Sequence, residues 1–423
     1  MLKKICFISL FSLLLPSICF AERQSILTPS ISASEKYTDN LFLSEDDTES
    51  EWITTISPGI RYNLLGKTSE VNLSYTPTFV YYDEHTDFNT IRHNASIAGR
   101  IQVAKYTELT VSDAFMRTEK LINMEEPEDE TIRESREPYY TNTVSTGISH
   151  QFGPADTISL KYTDTLRNNN DPDEENSKSH AADLNLAYWF YPHLGMETRI
   201  GYQQGEFGGT SDDFDQWNGH VKLIRKFSAH LNAFIKYAHT DMNYRENTSD
   251  YQVYDGSIGM VYTIEKDTSI SISTGYLVRD KTGEDDEKRI TANIDLDKSW
   301  DFKRSSIGFK AASGYKDTYF GAENLGFNWY WTLSAKASHY FSKHLSGNIS
   351  GSYRRDKYED TEDNRKDYTT VGAAGLSYQL RQWITTALMY TYRNRNSNIH
   401  TSDYEENSVI LTITLTPIKP IRF

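Results

Sequence analysis

From Thr28 to Thr416 the chain repeats one pattern, segments of roughly 10 to 13 residues in which apolar side chains alternate with small polar ones. Ile270, Ile272, Thr274, Tyr276 and Val278 alternate with Ser269, Ser271, Ser273 and Gly275, and Val409, Leu411, Ile413 and Leu415 alternate with Ser408, Thr412 and Thr414. A period of two puts one residue set on each face of a strand, and helical periodicity is nowhere sustained.

The connections alternate in length. Short ones, such as Phe227-Ser228-Ala229, Glu265-Lys266-Asp267, Phe341-Ser342-Lys343 and Leu380-Arg381-Gln382, take turns with long ones rich in Asp, Glu and Asn. The long set is Asp39–Ser50, Asp83–Thr90, Glu119–Pro138, Arg167–Lys178, Glu206–Phe214, Asn243–Asp250, Asp280–Glu287, Thr318–Leu325, Asp356–Lys366 and Asn394–Asp403. Ten long loops and nine short turns predict about 20 strands, with 16 to 20 as the range. The segments Phe190–Leu194, Phe227–Leu231 and Phe341–Leu345 each place an aromatic, a tight turn and then His-Leu between two strands. The expected role of that aromatic is an anchor at the inner membrane interface, and that of the histidines no more than part of a turn.

A soluble sandwich would alternate as well. Here the strands match the roughly 9 to 11 residues a tilted strand needs to cross a bilayer, and the polar face carries Ser, Thr, Asn, Gly, Lys and Arg that no second sheet would cover. The predicted fold class is therefore all-β, a transmembrane antiparallel up-and-down β-barrel, which leaves no sheet edge unpaired. Pro417 and Pro420 interrupt the last ladder, so the last regular strand should stop near Thr416, with Phe423 in a short atypical tail.

At the other end, Lys3 and Lys4, the apolar run Ile5–Leu15 and Cys19-Phe20-Ala21 read as a signal peptide over residues 1–21, leaving 22–423 as one barrel domain. Both cysteines lie in that leader, which removes disulfide scaffolds and thiol chemistry from the mature chain. Only Glu22–Leu27 then precedes the first strand, too little for an N-terminal plug. The longest loop, Glu119–Pro138, with eight acids and three bases, is the candidate for an obstruction folded into the lumen; the alternative is a solvated outer loop.

Composition changes the picture mainly through charge. The 423 residues carry 59 acids and 44 bases, a net charge of −15, and mean hydropathy is −0.62, which excludes a bundle of membrane helices. An acidic balance also argues against nucleic acid as a partner. Yet 13% of the chain is aromatic, which excludes disorder. On the polar face the period-2 register assigns Lys36, Arg61, Arg92, Arg100, Lys161, Arg199, Lys222, Lys236, Arg279, Lys310, Lys336, Arg354 and Arg393, against Asp183, Glu197, Asp255, Asp295 and Asp297. A basic, water-filled bore would favour anions; the bland alternative is that these charges only hydrate the wall. The acidic loop clusters Glu45-Asp46-Asp47 and Glu284-Asp285-Asp286-Glu287 lack the spacing of a calcium loop, so no defined metal site or cofactor is expected; a solvated rim is the leading reading and divalent-cation binding the lesser one.

No catalytic motif is present; His85 with Asp83, Glu84 and Asp87, or His400 with Asp403, would be the places for a rim hydrolase. The first strand pair, Ile31–Leu41 with its Asp39-Asn40 and Trp52–Ile60 with its Pro58-Gly59, resembles the β-barrel porin family of bacterial outer membranes found beside exopolysaccharide and PEP-CTERM/exosortase genes. The resemblance implies a barrel in the outer membrane of a Gram-negative-type bacterium, partnered by membrane lipid, the barrel-assembly machinery and polysaccharide-export components, with no catalytic residues. The functions it leaves in view are a channel for an anionic polysaccharide or other anionic solute, a non-conducting surface scaffold or adhesin, and, third, a rim-located hydrolase.

Overall fold

A computed structural model describes residues 23–121, 133, 135–246, 248–265, 268–299, 304–318, 325–361 and 364–423. The predicted leader, 1–21, lies outside the described residues. Twenty long strands follow one another: β1 Gln24–Thr38, β2 Glu51–Leu65, β3 Ser69–Tyr82, β4 Thr90–Ala104, β5 Thr107–Thr118, β6 Tyr139–Gln151, β7 Thr157–Asn169, β8 Ser177–Tyr191, β9 Leu194–Phe207, β10 Phe214–Lys226, β11 Leu231–Tyr244, β12 Tyr251–Glu265, β13 Thr268–Lys281, β14 Glu287–Ser299, β15 Ser305–Thr318, β16 Gly326–Tyr340, β17 Leu345–Tyr358, β18 Lys366–Arg381, β19 Ile384–Ser397 and β20 Tyr404–Leu415. Each pairs antiparallel with its sequence neighbours, and β1 pairs with β20 from Ile31↔Leu415 to Thr38↔Ser408, which closes the barrel.

The alternation written in the sequence becomes two surfaces. One carries large apolar side chains left bare in the isolated chain, such as Ile235, Ile258 and Ile349 at 63%, 58% and 62% exposure. In water this would be untenable; in a bilayer it is the side that lipid covers. Exposed Tyr106, Phe152, Phe190, Phe227, Phe341 and Trp383 ring the short-turn end, and Trp52, Tyr81, Trp217, Tyr276 and Trp331 the long-loop half. These are the two aromatic girdles of a membrane barrel. In two of the repeated turns the serine shapes the bend: Ser228 Oγ accepts the N–H groups of His230 and Leu231 at 3.1 and 3.0 Å, and Ser342 Oγ those of His344 and Leu345 at the same distances. Ile258→Arg, at the centre of β12 on the lipid side, is expected to cost about 2–4 kcal/mol in urea unfolding from vesicles, and Ser257→Arg on the opposite face far less.

The ladder ends as the prolines dictate, with β20 stopping at Leu415. The tail, however, does not hang free. Beyond Pro420 the chain resumes pairing as β21, Ile421–Arg422, against Leu27 and Ile26, and Phe423 and Ser25 exchange both backbone hydrogen bonds, at 3.0 and 3.4 Å. The last three residues of that tail thus cover the stretch of β1 that β20 is too short to reach.

Candidate functional site

Contacts between strands that are not neighbours in the sheet identify the interior face, because only the hollow of the barrel lets them meet. Gln216 of β10 donates to Asp317 of β15 at 2.9 Å, Thr240 of β11 and Tyr315 share a hydrogen bond of 2.8 Å, and Tyr251 of β12 donates to Asp317. Extending the face of Gln216, Thr240 and Tyr251 through the ladder registers puts all thirteen of the sequence-assigned bases on it.

Eight of these bases are neutralised by a carboxylate. Lys36 and Arg393 both hold Glu406, at 2.9 and 3.0 Å; Arg100 pairs with Glu70 at 2.6 Å, Arg199 with Asp183 at 2.6 Å, Lys222 with Glu197 at 3.0 Å, Arg354 with Asp356 at 2.7 Å, and Arg279 with Asp360 at 2.8 Å. Arg92 grips Glu119 through Nε at 2.9 and 3.0 Å. Among the described residues, Arg61, Lys161 and Lys236 have no carboxylate within ion-pair distance. Lys310 faces Asp295 across the β14–β15 ladder, and Lys336 faces Gly308 across β15–β16.

The acids assigned from sequence were too few. Glu51, Glu70, Glu287, Asp356, Asp367 and Glu406 also lie on the interior face. All are near strand ends, where alternation fades into polar loops and the register cannot be read from hydropathy. The same parity also adds interior bases, Arg167, Lys281, Arg289 and Arg395, so the basic excess stands. Lys161 faces Asp183 across its ladder and Lys236 shares a cavity with Asp255, each beyond ion-pair distance.

Two obstructions narrow the long-loop end. The described parts of the loop over 119–138 fold inward. Glu119 accepts from Arg92 and from Tyr82 Oη, Arg136 donates to the Leu41 carbonyl, and the Arg133 guanidinium sits 4.2 Å from the Tyr139 ring. Burial pushes the Glu119 carboxyl up, but the Arg92 hydrogen bonds and charge outweigh it and leave the group below its ordinary range. Residues 122–132 and 134 of this loop lie outside the described ones.

The second obstruction has no counterpart in the sequence reading. The β14–β15 ladder stops at Asn293↔Ala312, and above it the outer ends of β15 and β16 leave the wall and lean into the barrel. Phe327, fully buried, stacks on Tyr315 at 5.4 Å and meets Tyr251 at 5.3 Å and Trp329 at 4.9 Å edge-on. They cover Phe214, Met242, Val253 and Leu277 on the inner wall of β10–β13, and the Arg279 guanidinium lies 4.0 Å from the Phe327 ring. Beneath this lid is a cavity of about 450 Å³ lined by His220, Lys222, Lys236, Glu197 and Asp255, with Tyr315 and Tyr330 above.

Neither rim histidine forms a catalytic constellation. His85 does not use the acids beside it in sequence; its Nδ1 meets Glu51 at 2.6 Å and its Nε2 meets Glu49 at 2.7 Å, while Glu51 also accepts the N–H groups of Asp83, Glu84 and His85. Hydrogen bonding to Glu51, and secondarily to Glu49, raises the His85 pKa against the opposing effect of burial. A raised folded-state value means a stabilising contact that is complete below the ordinary histidine range and is lost as pH rises through the shifted value. Amide exchange of residues 83–85, corrected for its intrinsic pH dependence, should therefore accelerate above about pH 6.5, and His85→Gln should flatten that dependence. His400 approaches Glu45 at 3.8 Å and Asp403 at 3.6 Å, with atoms close enough to share an ion; His400 and Glu45 are exposed, whereas Asp403 is buried and accepts the Ser397 N–H.

A closed barrel with lipid-ready girdles and a polar interior is what the family comparison then matches: residues 25–157 and 322–416 fit the family described as Putative beta-barrel porin 2. The chain belongs to that family. This porin resides in the outer membrane of Gram-negative-type cells. No curated protein matches it. Among solved structures from Pseudomonas aeruginosa, OccK9 (OpdG) is 12% identical, the alignment covering 92% of the porin and 98% of that chain with a TM-score of 0.47. OccK2 (OpdF) is 10% identical over 93% and 98%, at 0.46, and the outer membrane protein opdK 12% over 92% and 99%, at 0.44.

Proposed function

We propose that this porin conducts anionic solutes, with acidic polysaccharides or their fragments as the best-matched class, and that it is not an enzyme. The observation that carries the reading is the set of interior bases without carboxylate partners, Arg61, Lys161 and Lys236, in a bore whose other charges are largely paired. An uncompensated cation in a low-dielectric wall attracts mobile anions, whereas a paired one contributes little field. Residues 22–423 form the mature barrel in this reading. Its partners are outer-membrane lipid, the assembly machinery that inserts it and, on the cell side, components that deliver an exopolysaccharide.

The inward-leaning ends of β15 and β16 favour one competing reading, a non-conducting scaffold or adhesin closed at its mouth. Flux separates the two. Proteoliposomes holding the porin should take up oligogalacturonates faster than neutral dextrins of equal length. Equal slow leakage of both would refute anion conduction, and loss of surface adhesion on trimming the acidic loops would then support the scaffold.

A further inference from the structure

Where β15 leaves the wall it leaves a seam. Ala292 N–H donates to Ser313 Oγ at 2.8 Å and the same hydroxyl donates back to the Ala292 carbonyl at 3.2 Å, so one side chain ends the ladder in place of the next backbone pair. Above it, the outer part of β14 has no strand on that side among the described residues. The result is a slot of about 170 Å³ lined from both faces of the sheet, by Arg289 and Gly314 of the interior face and by Ile290 and Trp331 of the lipid face. Ile290 is 77% exposed beside it.

The slot is basic at its outer edge. Arg355 and Lys357 of β17 line it together with Arg289. Among the described residues, Glu359 is the one carboxylate that reaches them, 2.6 Å from Lys357 and 3.7 Å from Arg289, while Arg355 packs on the Tyr368 ring at 5.4 Å with no acid within ion-pair distance. Three cations against one acid leave a surplus of two, and a phosphate monoester carries about −1.5 to −2. Arg side chains suit phosphate oxygens, and Trp331 and Ile290 offer the adjoining apolar surface.

We infer that the β14–β15 seam is a binding site for a phosphate-bearing lipid of the outer leaflet, its headgroup between Arg289 and Arg355 and its acyl chain along Ile290 and Trp331. The lipid and a closed seam exclude each other. Continuing the Asn293↔Ala312 register upward would set Ile290 opposite Tyr315 and Lys288 opposite Asp317, a chemically matched ladder that fills the slot and withdraws Tyr315 and Asp317 from the interior. A ligand that binds only the split seam therefore favours the state in which β15 and β16 lean inward.

The test uses the porin reconstituted in phosphatidylcholine vesicles with a trace of phosphatidic acid bearing a nitroxide on its acyl chain, read by electron paramagnetic resonance against the same label on phosphatidylcholine. Wild type should immobilise the phosphatidic acid label preferentially. Arg289→Gln with Arg355→Gln should lower the relative association constant by about tenfold or more, as expected for the loss of two charge-assisted contacts. Gly314→Phe should do the same without changing charge, since a Cβ there meets nothing nearer than the Tyr330 hydroxyl at 3.4 Å and the ring can occupy the slot. Equal immobilisation of both labels by wild type, which needs no variant to fold, would overturn the site, as would retention of the preference in either variant.

Discussion

Phe327→Ala should raise the single-channel conductance several-fold. The ring is fully buried against Tyr251, Tyr315, Trp329 and Arg279, so its removal forfeits the largest apolar contact between the inward-leaning segment and the wall of β10–β13. Truncating a buried Phe typically costs about 3–5 kcal/mol. Here that cost falls on the docked state of one segment, because β16 stays paired to β17 from Asn328↔Tyr358 to Tyr340↔Ser346 and the barrel remains closed. A shift of this size moves a docked-to-undocked ratio by about two to three and a half orders of magnitude, at about 1.4 kcal/mol per tenfold. Gln216→Ala, which removes one hydrogen bond to Asp317, should act in the same direction by about 1 kcal/mol. Planar-bilayer recording checks both; unchanged conductance in Phe327→Ala would mean that this segment does not limit the pore.

Arg61→Glu, Lys161→Glu and Lys236→Glu combined should reverse the ion preference. Each change swings the wall by two charges at a position where, among the described residues, no carboxylate lies within ion-pair distance, and the three lie on β2, β7 and β11, spread around the bore. At an effective dielectric constant near 20, one unit charge about 8 Å from the pore axis shifts a permeant ion by roughly 2 kcal/mol before screening. Salt at physiological strength removes much of this, leaving a change in the anion-to-cation permeability ratio of about tenfold for the triple variant. Arg199→Gln or Lys222→Gln should do less, and can even act oppositely, since each bares the Asp183 or Glu197 it now neutralises. A reversal-potential shift no larger in the triple variant than in these paired controls would show that pairing does not determine selectivity.

Much of the architecture is legible in the sequence because the bilayer demands it. An apolar residue at every second position facing lipid is a requirement on each strand separately, so alternation in β13 or β20 can be read without knowing the partner strands. The interior bases follow from the same parity. The inward lean of β15 and β16 could not be read in this way. Tyr315, Phe327, Trp329, Trp331 and Leu333 share one face of the hairpin by register, and the lower pair is exposed to lipid while the upper three are withdrawn into the barrel. Both environments accept an aromatic, so hydropathy cannot distinguish them. The loop over 119–138 stood out by its length, whereas the segment that covers the cavity belongs to an ordinary hairpin. Ion pairing was equally out of reach: that Lys36 and Arg393 converge on Glu406 depends on closing β1 against β20, some 370 residues apart in the chain.

The central claim is a basic bore that prefers anions, and the reversal potential of the wild-type porin across a planar bilayer with unequal KCl concentrations tests it most directly. A potential of the sign set by chloride is the predicted result. Zero current, or a potential of the sign set by potassium, would contradict it.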